Sequence, residues 1–326
     1  MTLTRMARPL LLAALAASAL ATVPVLAQDF PSKTIEIVVP YPPGGSTDVV
    51  ARKLQQKLSE LWGKPVMVDN KPGGNGNIGT AYVAKSPADG HRLLMSTSAL
   101  LTVNPHVHSN PGFDAFKDFA PVSLVSNGAL VVGVNASLGI NTLGELVQHV
   151  KRNPKKVFYA TPSSGTPQHL MGELMNQAGG LDMTPVHYKG ISPAINDVLG
   201  GNVPVIFSTF AALKAHMDSG RIKVLAVAEP KRLDGAPSVP TIAETFPGFE
   251  MTTWFGIFAP AGTPPATVNR LSQALATIVA QPDVTQLLNT LALPPMGGSP
   301  EQMARVLRTD FDKLGRVVRD NKITGD

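Results

Sequence analysis

The sequence predicts an α/β protein with two lobes, and three observations support this prediction. Strand-like β-branched runs alternate with helical patterns along the chain, which is typical of layered α/β folds with mainly parallel sheets. Residues 28–326 number 299, enough for two domains of about 150 residues each. A strand, a small-residue loop and a helix start recur about 120 positions apart, over Ile37–Asp48 and Val157–Leu170. We expect one copy of this design in each lobe.

The first 27 residues are predicted to form a secretory signal peptide. Arg5 and Arg8 supply its positive segment, Leu10–Ala21 its apolar segment, and Val25–Ala27 a small-residue cleavage site. The apolar segment has 12 residues, fewer than the roughly 20 of a membrane-spanning helix. We therefore expect cleavage near Ala27 and a soluble mature chain in the periplasm.

Composition excludes several classes of site. The chain has no cysteine, which rules out disulfide bonds, thiolate nucleophiles, cysteine-based metal sites and a lipidated cysteine. Without the signal peptide the net charge is +3, from 26 basic and 23 acidic residues. Such a charge can favour anionic small molecules but does not predict a nucleic-acid partner. The densest basic cluster, Lys151–Lys156, is interpreted as a solvated helix end.

Strands are predicted from apolar, β-branched runs, and helices from their N-terminal signals. Nine predicted strands are Thr34–Val39, Pro65–Val68, Arg92–Ser96, Val122–Val125, Leu130–Val134, Val157–Ala160, Val203–Phe207, Ile222–Ala226 and Gly256–Ala259. Thr142 and Glu145 form a capping-box pattern before a helix that ends near Arg152. An N-cap hydroxyl followed by proline predicts three more helices. They start at Thr166–Pro167, Thr263–Pro264 and Ser299–Pro300.

The loop after the first strand is a candidate anion site. It leads into a helix predicted by the spacing of Val50, Leu54 and Leu58, and the first N–H groups of a helix lack intrahelical partners. Those donors and the helix dipole favour an anion, and glycines let it reach the main chain. The alternative is an ordinary tight turn. The candidate residues are Tyr41, Gly44, Gly45, Ser46, Thr47 and Asp48. Arg52, about one turn into the helix, is expected to be solvated.

The second copy of the design gives a second candidate turn. Its residues are Ser163, Ser164, Gly165, Thr166, Gln168 and His169. Two interpretations of His169 stay open, a hydrogen-bonded side chain of the first helical turn or a ligand contact. Two such helix starts, one in each lobe, can hold the two ends of a dianion without an arginine.

Catalytic, cofactor and metal motifs are missing from the sequence. Gly44–Asp48 is not a G-x-S-x-G nucleophile elbow, because Asp48 takes the place of the last glycine. Gly73–Gly79 is rich in glycine but lacks the dinucleotide-binding spacing, and we interpret it as a flexible loop with Asn77 as a candidate ligand contact. The seven histidines form no metal-binding pattern. We therefore predict no catalytic residue, no metal ligand and no cofactor.

An ordered series of motifs resembles one family of proteins. Val38–Asp48 is similar to the signature VPFPPGGxxD of the Bug family, the periplasmic solute receptors of tripartite tricarboxylate transporters. Further motifs that match this family are Asn70–Gly79, Pro87–Leu94, Lys117–Val122, Gly165–Leu170, Tyr188–Gly190, Trp254–Gly256 and Ala259–Pro264. Together they span nearly the whole mature chain.

This resemblance implies a type II periplasmic-binding-protein fold, in which two α/β lobes joined by a two-strand hinge close on a ligand. Two extended apolar segments suggest lobe 1 as residues 28–125 plus 252–326 and lobe 2 as residues 126–251. Family ligands are mostly small organic carboxylates, held between the two turns by main-chain amides, hydroxyls and waters. The resemblance adds Thr97, Ser98, Tyr188 and Lys189 to the predicted site.

The chain departs from the family pattern at Ser208, where many relatives carry an aspartate that could pair with a ligand ammonium group. Ser208 therefore argues for a dicarboxylic or uncharged-tail acid over an amino acid. The implied partners are the large and small integral-membrane permease subunits, and a monomer is expected. Two alternatives are a periplasmic sensor that presents a carboxylate to a membrane histidine kinase, and an exported hydrolase.

Overall fold

The computed structural model describes residues 30–291 and 293–324. The chain divides into two units, Met1–Ser32 and Lys33–Asp326, and the fold described below is that of the second unit. The predicted signal peptide lies outside the described residues.

Strands and helices alternate along this unit. The strands are β1 (Ile35–Val39), β2 (Val66–Asn70), β3 (Arg92–Thr97), β4 (Phe119–Gly128), β5 (Leu130–Asn135), β6 (Phe158–Thr161), β7 (Thr184–His187), β8 (Val205–Thr209), β9 (Ile222–Val227), β10 (Thr253–Pro260) and β11 (Pro295–Gly298). The α-helices are α1 (Ser46–Trp62), α2 (Asn77–Ala84), α3 (Asn104–Val107), α4 (Leu143–Arg152), α5 (Pro167–Gly179), α6 (Ile191–Leu199), α7 (Phe210–Asp218), α8 (Pro265–Val279), α9 (Pro282–Thr290) and α10 (Pro300–Asp320).

All nine predicted strands are present, with ends shifted by up to three residues. Two further strands, β7 and β11, were not predicted. They are four residues long and contain proline or glycine in place of a β-branched run. Their strand conformation depends on pairing with other strands. β7 pairs with β6, the strand before it, and β11 pairs with β4, which is far away along the chain.

The strands form two sheets, one in each lobe. The first sheet has the order β11-β4-β10-β3-β1-β2, and the second has the order β7-β6-β8-β5-β9. The expectation of mainly parallel sheets was wrong, because five of the nine strand pairs in the described residues are antiparallel. The antiparallel pairs all involve β4, β5 or β10, the strands next to the crossings between the sheets.

The chain passes from the first sheet to the second at Ala129, between β4 and β5. It returns to the first sheet between Val227, the end of β9, and Thr253, the start of β10. The lobe boundaries at residues 126 and 251 stay a prediction.

The predicted helix signals are confirmed for three helices and wrong for one. Thr142, Thr166 and Ser299 each cap a helix by accepting a backbone N–H group. The predicted capping box is only half formed, because Glu145 accepts from the Asn141 amide at 2.6 Å and not from Thr142. Thr263 is not an N-cap, since its hydroxyl donates to the Pro260 carbonyl at 2.7 Å and α8 begins two residues later.

The last helix, α10, packs into the cores of both lobes. Near its start, Met303 and Leu307 are buried with first-sheet residues such as Leu94. Near its end, Leu314 is buried with second-sheet residues such as Phe207. The helix has a polar outer face, and within residues 30–291 and 293–324 no helix is long and apolar enough to cross a membrane.

Candidate functional site

The first candidate turn joins β1 to α1 at the carboxyl end of β1. Residues 42–46 are exposed, and Gly45 is the N-cap of α1. Gly44 has a φ of +90°, in the left-handed region that favours glycine. Its amide donates a hydrogen bond to Asp48 Oδ2 at 2.9 Å. Asp48 therefore closes the turn from inside the first helical turn.

Asp48 is the centre of a polar network beneath this turn. Its Oδ2 also accepts from Arg52 Nε at 2.9 Å, and its Oδ1 accepts from Asn70 Nδ2 at 3.0 Å. Burial by itself raises the pKa of Asp48, but the hydrogen bonds from Arg52, Gly44 and Asn70 outweigh it and lower the pKa. The carboxylate is therefore ionised at neutral pH, and Arg52, expected to be solvated, is half exposed and bound to it.

Tyr41 and Thr97 meet at the edge of the first turn. Their hydroxyls are 2.9 Å apart, because β1 and β3 are parallel neighbours whose carboxyl ends lie together. Burial raises the pKa of Tyr41 to about 12, although the bond to Thr97 acts in the opposite direction. Ser98, the next residue, is buried, and its hydroxyl has no partner within the described part of the chain.

The second candidate turn joins β6 to α5 and is built in the same way. Gly165 has a φ of +69°, and its amide donates to His169 Nδ1 at 3.1 Å. Thr166 is the N-cap, since its hydroxyl oxygen accepts from the His169 amide and its O–H donates to the Ser163 carbonyl at 2.8 Å. In both turns, a glycine amide is thus held by the side chain four residues further along.

His169 is neutral in this arrangement. Because Nδ1 accepts from Gly165, the ring proton is on Nε2, which lies 3.7 Å from Glu173 Oε1. Burial, and then the neighbouring His187, lower the pKa of His169 to about 4. The Glu173 carboxylate instead accepts from the Tyr159 hydroxyl at 2.6 Å. These contacts favour the first-turn interpretation of His169, in which the ring supports the turn.

A short helix that was not predicted, α3, joins the glycine-rich loop to the second turn. In α3, Asn104 donates to the Asn75 carbonyl at 3.0 Å and to Asn77 Oδ1 at 2.7 Å. At the other end of α3, a Cβ on Gly165 would lie 3.4 Å from Val107. The helix therefore contacts the second turn and the glycine-rich loop together. Pro105 in its first turn is the one local signal of α3, and it is weak because the helix is four residues long and follows a π-helical turn.

The glycine-rich loop packs against the first turn. A Cβ on Gly79 would lie 2.9 Å from Pro40 Cβ and 2.7 Å from the Lys71 carbonyl, so only glycine fits there. Asn77, at the start of α2, is thereby held close to the first turn, with its side-chain oxygen bonded to Asn104.

The remaining predicted residues lie around the second turn. The Tyr188 amide donates to the Thr161 carbonyl at 3.0 Å, and its hydroxyl is bonded to Asp197. Lys189 is exposed and Gln168 half-buried, while Ser164 donates to the Thr324 carbonyl at 3.1 Å. Ser208, near the carboxyl end of β8, is fully buried, and its hydroxyl has no partner among the residues that the structure describes.

The candidate site consists of two helix starts. Over the described residues, no three His, Asp or Glu side chains are placed to hold a metal. Instead, two loops at carboxyl ends of strands present main-chain amides, hydroxyls and helix N-termini, which together suit an anion.

Comparison with known proteins identifies the family. Residues 50–323 match the family described as "Tripartite tricarboxylate transporter family receptor". The chain belongs to this receptor family. Among its relatives, the protein BugT of Bordetella pertussis is 34% identical over 299 residues, which cover 91% of this chain and 92% of BugT.

Solved structures of similar receptors share the fold. A protein of R. palustris solved with adipate matches with a TM-score of 0.82 at 33% identity, over 91% of this chain and 99% of the other. The periplasmic binding protein BugD matches with a TM-score of 0.77 at 30% identity, over 90% and 99%. The predicted type II periplasmic-binding-protein fold is confirmed, and this receptor family is one of solute-binding proteins and not of enzymes.

Proposed function

We propose that this receptor binds a small organic carboxylate between its lobes in the periplasm and delivers it to a tripartite tricarboxylate-type membrane permease. The observation that carries the proposal is the pair of equivalent turns, one in each lobe, in which a glycine amide is tied to the side chain four residues on. Family membership and the relatives solved with adipate and with malate support a carboxylate as the ligand.

Main-chain donors recognise the carboxylate in this proposal. The N–H groups of Ser46, Thr47 and Asp48 are the first of α1, and that of Gln168 is among the first of α5. Each hydrogen bond to a charged group contributes about 1.5–3 kcal/mol before the costs of binding are counted. Several such bonds, with the Tyr41, Thr97 and Ser163 hydroxyls nearby, provide useful affinity without an arginine in either loop.

Ser208 favours an acid without an amino group. Its side chain is neutral and completely buried, so it offers no negative charge for a ligand ammonium ion. A dicarboxylate can instead place one carboxylate at each turn or extend its second carboxylate into the space between the lobes. We propose lobe 1 as residues 28–125 plus 252–326 and lobe 2 as residues 126–251, with the receptor acting as a monomer.

A thermal-shift screen tests the ligand class. Adipate and malate should raise the melting temperature more than aspartate and glutamate do, since at equal concentration L a ligand that binds more tightly stabilises the folded state more, by RT ln(1 + L/Kd). The reverse ranking would contradict the preference for an acid without an amino group. Loss of acid uptake after deletion of the gene supports transport, whereas loss of gene induction with normal uptake would indicate the sensor alternative.

A glycine substitution tests the location of the site. Gly45 has an ordinary φ of −77° and open space around it, so Gly45→Val should fold normally. Its branched side chain would occupy the place where the carboxylate approaches the main chain. Calorimetry should therefore show at least a hundredfold weaker binding, a loss of more than about 2.7 kcal/mol of binding free energy. Gly235→Val is the matched control, because Gly235 also has open space around it, and this variant should bind with unchanged affinity. Normal binding by Gly45→Val would exclude the first turn as the site.

A further inference from the structure

Asn70 and Arg52 form a connected polar network beneath the first turn. Asn70 is the last residue of β2, paired in register with Val39, the last residue of β1. From this position its Nδ2 donates to the Tyr41 carbonyl at 3.1 Å and to Asp48 Oδ1 at 3.0 Å. Its Oδ1 accepts from Arg52 Nη2 at 3.0 Å. The Asn70 side chain therefore uses both its donors and its acceptor on the turn and its support.

Arg52 completes the network from the helix side. Its Nε donates to Asp48 Oδ2, the same oxygen that accepts the Gly44 amide. The Asp48 side chain is 4% exposed, so its negative charge is buried directly under the backbone that would meet an anion. Without a cation beside it, this charge would repel an anionic ligand and would be costly to bury.

We propose that Arg52 and Asn70 are positioning residues for the first turn, and this inference rests on the proposed function. Asn70 holds the Tyr41 carbonyl and Asp48 in fixed places, so that Asp48 can hold the Gly44 amide before a ligand arrives. Arg52 orients the carboxylate of Asp48 and offsets its charge. The main chain of residues 41–45 is thus preorganised, which lowers the cost of ordering it on binding. The second turn needs no counter-ion, because neutral His169 takes the place of Asp48.

Hydrogen exchange of the ligand-free protein, followed by mass spectrometry, tests the preorganisation. In Asn70→Ala and Arg52→Met, the peptide over residues 41–48 should exchange about tenfold faster, while the peptide over residues 163–169 should keep its rate. The controls are Asn176→Ala, which removes bonds to Met183 in lobe 2, and Arg232→Met, which removes an exposed pair with Glu244. Both controls should leave residues 41–48 unchanged. An unchanged rate in the first two variants, or equal acceleration of both peptides, would overturn the proposal.

Calorimetry with adipate as the probe tests the charge balance separately. Arg52→Met should weaken binding about tenfold or more because the buried Asp48 charge is then uncompensated. Adding Asp48→Asn, which keeps an oxygen for the Gly44 amide but removes the charge, should restore most of the lost affinity. No recovery in the double variant would contradict the charge-balancing role. If the native protein binds none of the acids while the exchange result is as expected, the proposed function fails and the positioning of the turn is still supported.

Discussion

At the residue scale, the two turns use different side chains to accept the hydrogen bond from the glycine amide. Asp48 holds the Gly44 amide as a carboxylate, and His169 holds the Gly165 amide as a neutral imidazole. The two bonds respond to acid in different ways. The pKa of Asp48 is lowered, so its bond persists in mild acid, whereas protonation of His169 removes the acceptor.

The pH dependence of stability tests the state of His169. The pKa of His169 is lowered from 6.5 to about 4, so the unfolded chain binds its proton first as the pH falls. The stability contributed by neutral His169 is present above about pH 6.5 and is lost between pH 6.5 and 4, up to about 3 kcal/mol. His169→Gln keeps an amide oxygen as an acceptor and should give a flatter profile in urea unfolding.

His149→Gln, at a half-buried position in the last turn of α4, is the control for this experiment and should follow the wild-type profile. If His169→Gln and wild type lost stability equally between pH 6.5 and 4, His169 would not be the neutral group that supports the turn.

At the element scale, helix α5 approaches β6 through a glycine. A Cβ on Gly172 would lie 2.5 Å from the ring of Tyr159, whose hydroxyl binds Glu173. Burial, and then the bond to Glu173, raise the pKa of Tyr159, so the phenol stays protonated and donates this bond. The close packing of α5 on β6 holds the N-terminus of the helix, and with it the second turn, at the end of the strand.

Gly172→Ala should therefore destabilise the protein even though alanine favours helix. Overpacking against a fully buried ring costs about 1–3 kcal/mol, more than the gain of up to about 1 kcal/mol in helix propensity. Gly144→Ala in α4 is the matched control, because its Cβ would meet only Thr142 Oγ1, at 3.9 Å. Urea unfolding should show loss of stability for Gly172→Ala and equal or higher stability for Gly144→Ala. A stabilised Gly172→Ala would mean that α5 does not pack this closely.

The segment that returns from the second sheet carries a buried acid. Glu229 is 8% exposed, and its Oε1 has no hydrogen-bond partner in the described ranges. Burial, and then the charge of Glu250, raise the pKa of Glu229 to about 8. The folded state therefore keeps a proton that the unfolded chain loses near pH 4.5, and stability falls as the pH rises from 4.5 to 8.

Glu229→Gln should remove this pH dependence. At pH 9 the variant should be more stable than wild type by a few kcal/mol, at about 1.4 kcal/mol for each pKa unit, and near pH 4.5 the two should be similar. Glu60→Gln, an exposed acid on α1, should behave like wild type at both pH values. If denaturant unfolding showed that Glu229→Gln loses as much stability as wild type between pH 4.5 and pH 9, the titrating group would be a different residue.

At the scale of the whole molecule, α10 connects the two hydrophobic cores. Leu307 is buried with residues of the first sheet, and Leu314, two turns later, with residues of the second. The lobes are therefore connected by this helix as well as by the two chain crossings. Any relative movement of the lobes must therefore be accommodated at these same contacts.

Substitutions at both ends of α10 test this coupling. Leu307→Ala and Leu314→Ala should each lower the free energy of unfolding by about 2–5 kcal/mol through cavity formation. Because the helix belongs to both cores, calorimetry should show one transition that moves in both variants. The exposed control Arg305→Ala should change stability by less than about 0.5 kcal/mol. If calorimetry showed two unfolding transitions and each variant shifted only one of them, the two cores would unfold independently.

The sequence by itself determined the α/β class, nine of the strands, the main helix starts and the two strand–loop–helix turns. These features are local, because periodicity, N-caps and glycine-containing turns depend on residues that are close together in the sequence. Only the tertiary structure decided the antiparallel pairing, the short strands β7 and β11, and the contacts of Arg52, Asn70, Asn104 and Val107. Those features depend on which distant segments meet. Asn70 reaches the turn because β2 lies parallel to β1, and nothing near Asn70 in the sequence specifies that neighbour.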